Sequence, residues 1–465
     1  MTEVRRQKLP RDPLLKRQPR KDPAPAKKKA SRAVELQEAR RRGFPGFLRI
    51  LGPGLITGAS DDDPSGIGTY SQVGSQFGYG LLWTALFTFP LMAAVQELCA
   101  RIALETGVGL GTALRRKFPT SLIAACIFGL VVANTINIGA DLAAVAAGFE
   151  LLSQGWLKEL WLVAPIGAAI LAMQLFATYD LIFKTFKWLT LALFAYVFAA
   201  VLSHPDAGKT LVATFIPRVQ TSGDFVMAMV AVLGTTISPY LFFWQASSEV
   251  DNMRASGQVT EASRRGVGKL EMRAARMDVL VGMFFSQVVM YAIILTGAAV
   301  LNAHGKTDIQ SAAQAATALQ PVAGPFARDL FAIGLIGTGV LTIPILSGSA
   351  AYAVKEFAGL PGNLESRPTQ GPTFYLVISI ATVVGIALNF LHIDPIKALF
   401  WTAVINGLAA PPLLVLIVLL GSDGKLMKKR VSGRLSRALT WIATAAMIAA
   451  GLALVLFDLI LPRLH

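Results

Sequence analysis

"GASDDDPSGIG", residues 58–68, sets three consecutive aspartates, a proline and two further glycines inside an otherwise apolar segment. Ahead of the aspartates, Phe47–Ser60 supplies 14 mostly apolar residues. As helix these reach about 21 Å, short of a hydrocarbon core of about 30 Å. Apolar character resumes after them through "IGTYSQVGSQFGYGLLW", residues 67–83. The economical reading is one membrane span, 47–75, whose helix breaks at "DDDPSG". Proline removes a backbone donor and glycine permits irregular backbone. Such backbone survives at membrane depth only inside protein or beside a water-filled cavity. An acidic loop after a short tilted helix is the competing reading. Carboxylates within a membrane are costly and mark functional sites, which favours the broken span.

The rest of the chain agrees with a bilayer environment. Of 465 residues 54% are hydrophobic and 15% charged, and mean hydropathy is +0.56. Ten more apolar segments lie at about 81–104, 121–143, 157–178, 184–203, 223–246, 277–301, 326–347, 372–391, 395–420 and 436–461, most near the roughly 20 residues a span requires. The expectation is an all-α integral membrane protein of about 11 spans. The longest internal polar stretches, 247–276, 302–325 and 348–371, are too short for an independent domain, and no glycine fingerprint for nucleotides accompanies them. An enzyme or an ATP-driven pump is not expected.

Residues 1–44 hold 15 Lys and Arg against 5 Asp and Glu, a net +10 of the chain's +15. Prolines, mixed charge and the lack of apolar periodicity point to a disordered arm, and no apolar signal core follows the first residues. With this arm in the cytoplasm, "RRKF" (115–118), the loop carrying Arg254, Arg264, Arg265, Lys269, Arg273 and Arg276, and "GKLMKKR" (424–430) fall on the same side. That matches the orientation rule for basic residues. The arm is read as contacting anionic headgroups and not nucleic acid, and insertion without a removable signal suits a bacterial inner membrane. Cys99 and Cys126 lie inside spans, so neither a disulfide framework nor a zinc site is expected. The four histidines, His204, His304, His392 and His465, fall in outer loops or at the terminus.

"MVAVLGTTISPYLFFWQ", residues 229–245, is a second apolar segment interrupted by small hydroxylated residues and a proline. In order it is span 6. A simple proline kink would explain it alone. Spans 1 and 6 are corresponding members of a five-plus-five inverted repeat, however, and paired broken helices at such positions point to a transporter's central site. Repeat one would cover about 47–203, repeat two about 223–420, and the helix at about 436–461 would stand outside both, within a membrane domain of 45–465.

These residues also carry a resemblance to the Nramp family of proton-coupled divalent metal transporters, whose fold is LeuT-like. It runs from "GPGLITGASDDDPSGIGTYSQVGSQFGYGLLW" through "RIALETGVGLGTALRRKFP" and "NIGADLAAVAAGFELL" to "ISPYLFFWQ", over roughly residues 45–420. The departures fall in the functional motifs. The family's Asp-Pro-Gly-Asn is "DPSG" here: Asp63 and Pro64 match, Ser65 stands for glycine and Gly66 for the metal-binding asparagine. Met-Pro-His becomes "SPY", with Ser238 for the methionine and Tyr240 for the histidine. A further histidine is replaced by Gln245, and Asp-Leu-x-Glu becomes "DLAA", keeping Asp141 and placing Ala144 where a proton-pathway glutamate would stand.

Loss of the thioether removes a preference for softer ions. Asp63, with freed backbone carbonyls and hydroxyls of Thr235, Thr236 or Ser238, would make an all-oxygen shell suited to Mg²⁺ or Mn²⁺ with some water retained. Asp61 and Asp62 would attract cations to a vestibule or cap the following half-helix. Asp62, Asp141, Tyr240, Gln245 and Asn406 are the further candidates for a polar pathway. Asp141 shares a helix face with Asn134 and Asn137, which are read as interhelical hydrogen-bonding residues. A relay of Asp141 alone is thin, so weak or absent proton coupling is expected. Glu97 and Arg101 are read as a helix-face ion pair, Met227 and Met229 as packing, and Phe242, Phe243 and Trp244 as packing or anchors.

Three functions remain open at this point. The first is import of a divalent cation by alternating access, the ion being cargo and no resident cofactor being needed. The second is the same fold carrying a small organic solute, with Asp63 as a coupling-ion ligand. The third is a non-transporting membrane sensor or scaffold.

Overall fold

The computed structural model describes residues 53–176, 194–309, 311–364, 366–391 and 393–457. The basic arm, the first residues of span 1, the first half of span 5, the last residues of span 11, His392 and His465 lie outside the described residues.

Helix α1 (Pro53–Asp61) ends inside the quoted stretch, and α2 (Pro64–Phe77) restarts two residues later. Asp63 is extended, with φ −68° and ψ 171°, and Pro64 occupies the first turn of α2, where its missing N–H is no loss. The remaining helices of six or more residues follow in order: α3 (Trp83–Thr106), α4 (Leu110–Arg115), α5 (Thr120–Leu152), α6 (Glu159–Phe176), α7 (Phe194–Leu202), α8 (Ala207–Phe215), α9 (Gly223–Thr236), α10 (Pro239–Ala255), α11 (Lys269–Thr296), α12 (Ala327–Ala358), α13 (Pro372–Leu388), α14 (Pro395–Gly421) and α15 (Arg434–Val455). No strand occurs among the described residues.

The second break separates α9 from α10. Ile237 (φ −117°, ψ 57°) leaves the helical region, Ser238 is extended, and Pro239 opens α10. Both breaks thus use one device, an extended residue followed by proline at the start of the next helix.

Among the described residues nine helices, with α9 and α10 taken together, are long and apolar enough to span a bilayer. The α1–α2 pair and α7 occupy the places of spans 1 and 5. This is the expected integral membrane architecture of broken helices 1 and 6 in a five-plus-five repeat with an added helix. Burial sorts the spans: the apolar windows of α9–α10 and of α12 are 83% buried, whereas that of α6 is 22% buried. The broken helices are therefore central and α6 faces lipid. Several helices outrun their apolar segments, α5 reaching 33 residues, or about 50 Å at 1.5 Å per residue.

Small residues set the closest crossings. A Cβ on Gly58 would lie 2.2 Å from the Gly282 carbonyl oxygen, and one on Gly234 would lie 2.0 Å from that of Ala403. Glycine is required at both because the obstacle is backbone, and close backbone approach is how helices associate where no hydrophobic drive acts between them. These contacts seat α1 against α11 and α9 against α14, each within a turn of a break. Arg101 pairs with Glu97 on α3, and Cys99 and Cys126 are free thiols.

Candidate functional site

Asp63 is 1% exposed and stands at the start of α2. Its Oδ1 accepts from Ser65 Oγ at 2.6 Å and from the Gly66 N–H at 2.7 Å. Its Oδ2 accepts from Asn137 Nδ2 at 3.1 Å. Asp63 is thus the N-cap of the second half-helix, where the helix dipole favours an anion. Capping belongs to Asp63 and not to Asp61 or Asp62. Those two are 0% and 4% exposed, so they line no open vestibule either. Ser286 of α11 donates to Asp61 Oδ2 at 2.5 Å and lies 3.4 Å from Asp62 Oδ1.

Gly66 stands where the resemblance expects an asparagine, and it is closely packed. A Cβ there would sit 3.3 Å from Thr235 Oγ1 and from Tyr70 Cε2 and 3.4 Å from the Asp61 carbonyl oxygen. Oxygens from both broken helices therefore face Gly66. Thr235 Oγ1 is buried without a hydrogen-bond partner, so its lone pairs are available. Thr236 differs: its hydroxyl donates to the Val232 carbonyl at 2.6 Å and lies beside Tyr70 Oη and Met290 Sδ. The expectation of a Thr236 ligand therefore gives way to Thr235. A one-residue step along a helix turns the side chain by about 100°, and only one of the two can face the break. Ser238 Oγ donates to the carbonyls of Gly234 and Thr235 at 2.8 Å each, closing the end of α9 while keeping its own lone pairs.

Tyr240 and Gln245 join the two broken helices to each other. Tyr240 Oη donates to the Ser60 carbonyl at 2.8 Å, and Thr57 Oγ1 donates to Gln245 Oε1 at 2.6 Å. Both side chains are fully buried. Asp141 is buried on α5 one turn beyond Asn137, with neither carboxylate oxygen partnered. Asn406 on α14 is 1% exposed and both of its amide atoms lack partners. Buried polar groups are ordinarily satisfied, so this concentration of unpartnered oxygens marks a place for a polar guest or water.

Asn134 donates to the Leu346 carbonyl at 3.0 Å and is the interhelical link that was expected. Asn137 is more than that, since it positions Asp63. Its signal in sequence is the i, i+4 relation to Asp141, which places both on one face. Ser286 has no such signal, being 225 residues from Asp61 along the chain. No cluster of three or more His, Cys, Asp or Glu side chains able to hold a metal occurs among the described residues. A cation here would be completed by hydroxyl, amide and backbone oxygens and by water. His204 and His304 are exposed and distant in chain position from both breaks.

The chain is similar to known transporters over most of its length. The chain is 26% identical over 419 residues to a protein of Deinococcus radiodurans named divalent metal cation transporter MntH, covering 88% of this chain and 89% of that one. In structure it is similar to the Eremococcus coleocola manganese transporter in complex with an aromatic bis-isothiourea substituted compound, with TM-score 0.68 and 18% identity, covering 89% of this chain and 87% of the other. It is also similar in fold to Mhp1, a nucleobase-cation-symport-1 family transporter, with TM-score 0.56 and 14% identity, covering 89% of this chain and 92% of the other. A family model described as natural resistance-associated macrophage protein-like matches residues 54–457, and on that match, together with the paired breaks and the retained Asp63, the chain belongs to the Nramp family.

Proposed function

We propose that this protein is a secondary transporter that imports a divalent metal cation by alternating access, takes Mg²⁺ or Mn²⁺ in preference to softer ions, and is driven by membrane potential with weak or no proton coupling. The observation that carries this reading is Asp63: a buried carboxylate at a helix break, bonded to the N–H of Gly66, which Thr235 Oγ1 and the Asp61 carbonyl oxygen face. Family membership and the names of the relatives support the cargo class. The all-oxygen surroundings support the hard-ion preference, because sulfur and imidazole are what select softer ions. Asn137 holds the carboxylate in position, Thr235 and Ser238 offer hydroxyl oxygens, and retained water completes the shell.

Proton coupling needs a chain of exchangeable groups, and Asp141 has neither a carboxylate nor a histidine hydrogen-bonded to it. Potential alone suffices: it supplies about 2.3 kcal/mol per charge per 100 mV, hence about 4.6 kcal/mol for a divalent ion. The test is uptake into proteoliposomes under an imposed negative potential, comparing Mg²⁺, Mn²⁺, Fe²⁺, Zn²⁺ and Ca²⁺, with and without a pH gradient, for the native protein and Asp63→Ala. Flux of Mg²⁺ or Mn²⁺ that is lost in the variant and indifferent to the pH gradient is expected. Absence of flux and binding for all five ions overturns metal transport and returns the site to an organic solute or a non-transporting role.

A further inference from the structure

Helices α11 and α15 both pack against α3, and a groove of about 390 Å³ lies where the three meet, a volume within the range of small-molecule sites. Phe89, Pro90, Ala93, Leu280 and Leu439 make its apolar walls. Phe89 packs edge-on against Phe284 with ring centroids 6.1 Å apart, and Phe284 is 52% exposed, so this wall continues onto the lipid-facing side of the bundle. The other end of the groove is charged. Arg101, Arg276 and Arg434 line it against one acid, Glu97, a surplus of two positive charges. Glu97 is already paired with Arg101 and accepts from Ser436 Oγ at 3.3 Å. Arg276 and Arg434 are exposed, and among the described residues neither forms an ion pair with an acidic side chain. Arg434 also opens α15, whose N-cap Gly433 supplies no side chain and whose first turn has no acidic residue. A cation there meets the positive end of the helix dipole, so an anion held beside it offsets both.

Chain position fixes the depth of these groups in the bilayer. Arg276 immediately precedes the apolar segment that begins at 277, and Arg434 stands two residues before the one that begins at 436. Both arginines therefore lie at the boundary between headgroups and hydrocarbon, on the side that carries the basic stretches 254–276 and 424–430. Leu280 and Leu439 follow them about one helical turn deeper. The groove is thus positive at headgroup level and apolar beneath it. A soluble anion would match only the charged end, and the chain's own arm, at net +10, is repelled by that end. An amphiphile with an anionic head matches both.

We propose that this groove binds one anionic phospholipid, its phosphate held by Arg276 and Arg434 and an acyl chain laid along Phe89, Pro90, Leu280 and Leu439. The guanidinium group suits a phosphate because its planar fork presents paired donors to two oxygens, and basic pockets between membrane helices take anionic headgroups for this reason. The lipid position is separate from Asp63 and independent of what Asp63 carries. Its bearing on the transporter runs through α11: Leu280 is two residues from Gly282, at the crossing that seats α1, so a lipid in the groove braces the helix on which the first broken helix rests.

The experiment is native mass spectrometry of the full-length protein released from detergent micelles, titrated separately with phosphatidylglycerol and phosphatidylcholine. One tightly retained phosphatidylglycerol per chain is expected, with phosphatidylcholine bound distinctly more weakly. Arg276→Gln and Arg434→Gln should each weaken phosphatidylglycerol binding by about 5-fold and the double variant by about 30-fold, from about 1 kcal/mol for each basic residue near an anionic headgroup. Arg273→Gln removes an exposed arginine of the same helix that does not line the groove, and binding should stay near the native value. Equal retention of the two lipids by the native protein overturns the proposal and needs no substitution, so a variant that fails to fold does not decide the matter. A loss in Arg273→Gln as large as that in Arg276→Gln overturns it by showing diffuse attraction to a basic surface. Displacement of the lipid by an equal concentration of ammonium phosphate overturns it as well, because the groove would then be a site for soluble anions.

Discussion

Asp63 accepts three hydrogen bonds before any guest arrives, from Ser65, Gly66 and Asn137. Only the last comes from another helix, so Asn137 fixes the carboxylate relative to α5. Asn137→Ala is expected to weaken Mn²⁺ binding by about 10–100-fold, the range for removing a partner that orients a ligand, as measured by isothermal titration. The two neighbouring threonines separate a ligand from a structural group. Thr235→Val should lower uptake at limiting ion concentration, because it removes an unpartnered buried hydroxyl that faces Gly66 at the first break. Thr236→Val should leave uptake near the native rate, since that hydroxyl is already spent on the Val232 carbonyl. Equal losses in the two would reject the assignment.

At the scale of helices, the breaks are held by cross-links between α1 and α10. Tyr240→Phe leaves the buried Ser60 carbonyl without its donor and is expected to cost about 1–3 kcal/mol, the penalty for an orphaned buried polar group, read as a lowered melting temperature in detergent. The glycine crossings are less forgiving. Gly234→Ala would drive a methyl to within 2.0 Å of the Ala403 oxygen and 2.4 Å of the Gly407 nitrogen, both backbone, so little folded protein should be recovered on size exclusion. Gly129 in α5 is the control, with nothing within 4 Å of its added Cβ. There alanine should be tolerated or stabilise the helix by up to about 1 kcal/mol.

Over the whole molecule the consequence of divalent charge is electrical. At −100 mV inside, about 4.6 kcal/mol corresponds to roughly a 10³-fold accumulation ratio at equilibrium. Raising the potential should steepen Mg²⁺ or Mn²⁺ accumulation accordingly, while an imposed pH gradient at fixed potential should not. The eleventh helix, α15, packs on α3, α9 and α14 rather than on either break, so its contribution is to the outer wall of the bundle.

The sequence by itself determined the membrane class, the span pattern, both breaks and the retained aspartate. Each is written in local chemistry: apolar runs of bilayer length, and proline and glycine where helix must stop. It also exposed the departures at Gly66, Ser238 and Tyr240, because a motif is read position by position. Only the tertiary structure decided which polar side chains meet. Asn137 reaches Asp63 across 74 residues and Ser286 reaches Asp61 across 225, and neither contact has a signature in the intervening chain. The same holds for Thr235 against Thr236: adjacent residues of one type are equivalent in sequence, and only the rotation of α9 at its end turns one toward the break and the other into a hydrogen bond. Ligand geometry is thus a property of helix packing, whereas the place where a helix must open is a property of the chain.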